Sequence, residues 1–81
     1  PDTIPPTSMW SIDSYSSPSL YFTRNYGTDT DVIVQTSTNG TTWFSTTTDA
    51  ISLRNIGELA TGTLIRLKST SDSTISNVIT V

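Results

Sequence analysis

The chain has no cysteine, no histidine and a single lysine, Lys68, among its 81 residues. Without cysteine it can form neither a disulfide nor a thiolate metal site. Without histidine it lacks the commonest metal ligand and the commonest general base at neutral pH. Charge is scarce too: 14% of residues are charged, against roughly 25% in a typical soluble domain. The four cations, Arg24, Arg54, Arg66 and Lys68, are dispersed, and the net charge is −3. A nucleic-acid binder needs a basic patch or stripe, and these residues do not supply one. Apolar runs stop at three residues, so these residues contain neither a membrane-spanning helix nor the apolar segment of a signal peptide.

Such a length allows one domain, near the lower limit for a single self-sufficient core. With no disulfide, stability must come from packing, neighbouring domains or subunit contacts. The sequence opens on Pro1 without a Met, and it reads as a piece of a longer protein.

What is abundant is the small hydroxyl: 17 Thr and 13 Ser. Thr suits a pleated, half-buried surface and Ser suits turns, so the bias favours strands and loops over helices. The apolar residues recur in compact strand-length runs rather than evenly, which argues against disorder.

Residues 1–7 contain Pro1, Pro5 and Pro6 and read as an extended linker, leaving 8–81 as one domain. Met9 to Ile12 is a short first strand, and Asp13 to Ser19, broken by Pro18, a loop. Leu20 to Arg24 is the second strand and Asn25 to Thr30 a turn. Asp31 to Thr47 is a hairpin that supplies the third and fourth strands. Ala50 to Arg54 is the fifth. Asn55 to Gly62 crosses over with Ile56 and Leu59 turned inward. Thr63 to Thr70 is the sixth strand, with Ile65, Leu67 and Ser69 on one face and Leu64, Arg66 and Lys68 on the other. Ile75 to Val81 is the seventh. Seven short strands separated by turn signals predict an all-β fold, a seven-stranded antiparallel β-sandwich.

The hairpin is the clearest local signal. Asn39-Gly40 lies between Val32-Ile33-Val34 and Trp43-Phe44, and both turn residues tolerate the positive φ of a tight turn. Two registers are open. A two-residue turn pairs Thr36 with Trp43 and puts Trp43 on the Val32 and Val34 face. A three-residue loop with a Gly40 bulge pairs Val34 with Phe44 and puts Phe44 there instead. Either way both faces carry an aromatic, and leaving one in water forgoes roughly 2–3 kcal/mol. The outer face therefore needs a cover: a loop, a neighbouring domain or a ligand.

Gln35 to Trp43 resembles the S-T-D-G-x-x-W hairpin of fibronectin type III-like and immunoglobulin-like modules of bacteria and phage. Leu59 to Ser69 and Ile75 to Val81 are similar to the L-x-x-G-T-x-Y-x-V-x-V sixth strand and S-N-V-x-T-V seventh strand of fibronectin type III domains. The resemblance covers roughly Asp31 to Val81. Ile65 or Leu64 stands where that family has the tyrosine of its sixth strand, so the tyrosine-corner hydrogen bond cannot form there. The usual second-strand Trp is also missing, its space left to Phe22 or Trp10. The resemblance implies a spacer, adhesion or accessory domain rather than a catalyst.

The acidic residues Asp2, Asp13, Asp29, Asp31, Asp49, Glu58 and Asp72 nearly all fall in predicted turns, where Asp is a standard residue. Asp29-Thr30-Asp31 offers carboxylates to a Ca²⁺ ion but no visible full shell. Lys68 and Asn77 sit on neighbouring strands, the pairing used by isopeptide cross-links in some adhesins, with Lys68 on the outer face. Asn39-Gly40-Thr41 is formally a glycosylation sequon. The aromatics give the strongest binding lead. Tyr15, Tyr26, Trp43 and Phe44 are the candidate site residues, for a protein contact first and a carbohydrate second. No catalytic residue, metal or cofactor is expected. The expected partners are neighbouring domains or subunits of an extracellular, cell-surface or virion assembly.

Overall fold

A computed structural model describes residues 8–49 and 53–81. The linker expected over residues 1–7 and the start of the expected fifth strand lie outside them. The described residues are all β and carry no helix. The strands are β1 (Trp10–Ser16), β2 (Ser19–Arg24), β3 (Asp31–Ser37), β4 (Phe44–Asp49), β5 (Leu53–Asn55), β6 (Leu64–Ser69) and the two-residue β7 (Ile79–Thr80). They form two antiparallel sheets, ordered β1-β2-β5 and β4-β3-β6-β7.

The core lies between the sheets, in a sandwich-like arrangement. Trp10, Ile12, Leu20 and Phe22 come from the smaller sheet and Val32, Val34, Ile65 and Leu67 from the larger, with Met9 beside them. Each set follows the period of two that places alternate side chains on one face. Trp10 and Phe22 meet edge to face, their ring centres 5.5 Å apart, a favoured aromatic geometry. The predicted alternation in the sixth strand holds: Ile65, Leu67 and Ser69 are buried, and Leu64, Arg66 and Lys68 are half-exposed. Ile56 and Leu59 pack against the core as expected.

Three expectations need correction. The first strand does not end at Ile12. It runs to Ser16, because a bulge between Ile12 and Ser14 absorbs one residue. The bulge resets the alternation, so Ile12 and Tyr15 share the inner face, opposite Phe22 and Leu20. A strand with a bulge loses its strict period of two and reads as a loop.

The hairpin takes neither expected register. Thr36 pairs with Phe44 and Val34 with Thr46. The tip is wider because two side chains organise it. The Ser37 hydroxyl accepts from the N–H groups of Asn39 and Gly40 (3.2 and 2.8 Å). The Asn39 Oδ1 accepts from those of Thr41 and Thr42 (2.9 Å each). Such local bonds compete with the ladder and hold the chain out of a two-residue turn. Gly40 supplies the positive φ, +80°.

The seventh strand is interrupted rather than continuous from Ile75 to Val81. Ile75 makes one isolated bridge to Lys68, and pairing resumes only at Ile79. Between them side chains replace the ladder. The Ser76 hydroxyl accepts from the Leu67 N–H at 2.7 Å. The Asn77 amide is bonded to Ile12 in the opposite sheet, its Oδ1 to the Ile12 N–H (2.8 Å) and its Nδ2 to the Ile12 carbonyl (3.1 Å).

Candidate functional site

The β3–β4 pairing decides where the aromatics of the hairpin go. Phe44 stands opposite Thr36 and shares the inner face of β4 with Thr46 and Thr48. β4 is the edge of its sheet, so this part of the inner face is only partly covered. Phe44 is consequently 68% exposed, the most exposed large apolar residue among those described. Beside it lies a cleft of about 300 Å³, lined by Val34, Thr36, Thr46 and Thr48 from the larger sheet and Asn55, Ile56 and Leu59 from the facing segment. Its lining combines three aliphatic residues with three threonines and an asparagine.

Trp43 turns to the other face. The Arg66 guanidinium lies over its ring, 3.9 Å from the centre, a cation–π contact. Arg66 Nε donates to Gln35 Oε1 at 2.6 Å, and Gln35 Nε2 donates to the Ser45 hydroxyl at 3.0 Å. This layer leaves Gln35 only 8% exposed. The outer face of the hairpin thus has its cover from the chain's own Trp43, Arg66 and Gln35.

Tyr15 is at the same end of the molecule but turned inward. Its hydroxyl donates to the Gly57 carbonyl and accepts from the Leu59 N–H. This holds the loop that forms one wall of the cleft. Tyr26 is at the opposite end, in the connection between β2 and β3. Its hydroxyl donates to Asp72, in the turn after β6, and lies 3.3 Å from the Thr74 hydroxyl. The Tyr26 hydrogen bond, and then those from Thr74, hold the Asp72 carboxyl well below the usual carboxylate range. The same hydrogen bond pushes the Tyr26 phenol up.

The four aromatics therefore do not form one patch. Tyr15, Trp43 and Phe44 gather at the hairpin end in three different roles, and Tyr26 is apart from them. Phe44 alone is freely presented. The cleft walls Thr46, Thr48 and Asn55 were not among the expected site residues. The Phe44-Ser45-Thr46-Thr47-Thr48 run carried the signal, since a strand with so few apolar residues is an edge rather than a core strand.

No family model matches the chain, and no curated protein or solved structure matches it either.

Among the described residues no group of three or more acidic side chains is placed to hold a metal ion. Of the two carboxylates of Asp29-Thr30-Asp31, that of Asp29 accepts from the Thr70 and Ser69 hydroxyls at 3.0 and 3.3 Å. The Asn77 amide, on the strand segment beside Lys68, is bonded to Ile12.

Proposed function

We propose that this chain is a non-enzymatic structural and interaction module, a fibronectin type III-like or immunoglobulin-like sandwich that spaces or joins parts of a larger extracellular, cell-surface or virion assembly. The exposure of Phe44 beside the cleft carries this reading. An aromatic ring left in water at the edge of an aliphatic, hydroxyl-lined cleft suits a contact with another polypeptide. The carboxylates of Asp13, Asp29 and Asp72 each accept hydroxyl hydrogen bonds, which suits a scaffold role.

The strand order supports the fibronectin type III-like form of the sandwich. In constant-type immunoglobulin domains the fourth strand joins the first, second and fifth. Here β4 pairs with β3, in the sheet of β6 and β7.

The test is a photo-crosslinking phenylalanine analogue at position 44 of the protein in its native setting, read by mass spectrometry. Cross-links to a neighbouring domain or subunit support the module. The second reading, an accessory carbohydrate-binding domain, is favoured by the three threonines and Asn55 beside an aromatic ring. It predicts that oligosaccharides shift the amide resonances of Thr46, Thr48 and Asn55, and the protein-contact reading predicts that they do not.

A further inference from the structure

The sheet edges are not equally protected. β1 is bulged between Ile12 and Ser14, and both backbone groups of Ile12 are occupied by the Asn77 amide. The described part of β5 is three residues long and β7 two. β4 alone among the described strands combines an edge position, six residues and an unbroken register against its neighbour. Its sequence, Phe-Ser-Thr-Thr-Thr-Asp, contains no Pro, Lys or Arg. Those are the devices by which proteins blunt an edge, and an unblunted edge is a template for another strand.

Resting on the interaction-module reading, we infer that the partner at this edge is a second copy of the chain, joined by antiparallel β4–β4 pairing about a two-fold axis at Thr46. The sequence of β4 is self-complementary in that pairing. A two-fold axis perpendicular to the sheet keeps both clefts on one side, so inner-face residues meet only inner-face residues. Centring on Thr46 sets Thr46 against Thr46, Ser45 against Thr47 and Phe44 against Thr48. Thr–Thr, Thr–Ser and aromatic–β-branched neighbours are all favourable cross-strand pairs. Each exposed Phe44 falls beside the cleft wall of the other copy. The one charged residue of β4, Asp49, lies at its end, so the two copies' carboxylates are kept apart by the length of the pairing. The larger sheets join into one, β7-β6-β3-β4 running on into its symmetry mate. A single strand pair is a small contact, at the weak end of specific interfaces, so association is concentration-dependent.

The 81-residue chain is measured by sedimentation velocity over a concentration series. The expected result is a shift from the mass of one chain to the mass of two. Thr46→Lys sets two like charges face to face at the axis and holds the chain at the mass of one, with an unchanged far-ultraviolet spectrum. Thr46→Cys, under mild oxidation, gives a covalent dimer in far higher yield than Ser73→Cys, which lies on a turn away from β4. A chain that stays monomeric throughout, or a Thr46→Cys yield no higher than that of Ser73→Cys, overturns the self-pairing. So does protection of the outward β4 amides from exchange in the native setting without dimer formation, which assigns the edge to a strand other than a second β4. In either case cross-links from position 44 to another polypeptide still stand for the interaction module, so the two readings fail separately.

Discussion

The hydroxyl of Tyr15 donates to the carbonyl of Gly57 over 2.8 Å, tying β1 to the loop that precedes β6. The same oxygen accepts from the Leu59 N–H at 3.2 Å. Tyr15→Phe keeps the ring and removes both bonds. It is expected to cost about 1–1.5 kcal/mol and to speed amide exchange at Leu59 more than at Leu67. Urea denaturation and exchange measurements check the two parts.

Phe22 and Phe44 are chemically identical and differ in position. Phe22 is 2% exposed and in edge contact with Trp10. Phe22→Ala is expected to cost about 3–5 kcal/mol. Phe44→Ala is expected to change stability by no more than about 0.5 kcal/mol, as exposed positions do. Equal losses in urea denaturation would contradict the placement of Phe44 on an uncovered edge.

Arg66 covers Trp43 and satisfies Gln35. Arg66→Ala removes a cation–π contact of about 0.5–1 kcal/mol and leaves the Gln35 Oε1 without its donor. The expected signs are a small loss of stability and a red shift of tryptophan emission as Trp43 meets water. An unshifted spectrum would mean the guanidinium does not shield the ring.

Acid should weaken the turn after β6. Asp72 has its folded pKa depressed by the Tyr26 hydroxyl first and Thr74 second. Its contribution is therefore complete above the ordinary carboxylate range and is lost as the pH falls below about 4. The raised phenol of Tyr26 works in the opposite sense. Its contribution is complete below its ordinary pKa near 10 and is lost as the pH rises beyond it. Tyr26→Phe should flatten both limbs of a plot of urea midpoint against pH.

The all-β class, the presence of the hairpin and the inward faces of β3 and β6 were legible in the sequence because alternation in those stretches is uninterrupted. The errors fall where side chains replace backbone partners. Ser37 and Asn39 widen the hairpin tip, and Ser76 and Asn77 break the last strand. In both places ladder positions are filled by hydroxyls and amides that look like ordinary turn residues. Tyr15 looks like a loop residue for a related reason, since the bulge at Asp13 hides its alternation. Trp43 and Phe44 were correctly expected on opposite faces. The edge character of β4 is written in its run of Ser and Thr, but the cover of Trp43 was not legible, because it depends on Arg66 arriving from β6.

The Asn77 amide, bonded to both backbone groups of Ile12, makes the last segment of the chain a lock on the first strand. Asn77→Ala removes both bonds and leaves β7 on β6, so it frees the backbone groups of Ile12 while β4 remains free. One sticky edge limits growth to pairs, whereas two edges on one molecule permit open-ended addition. Loss of that one amide should therefore extend the proposed pairing into filament growth, which light scattering of the Asn77→Ala chain would reveal.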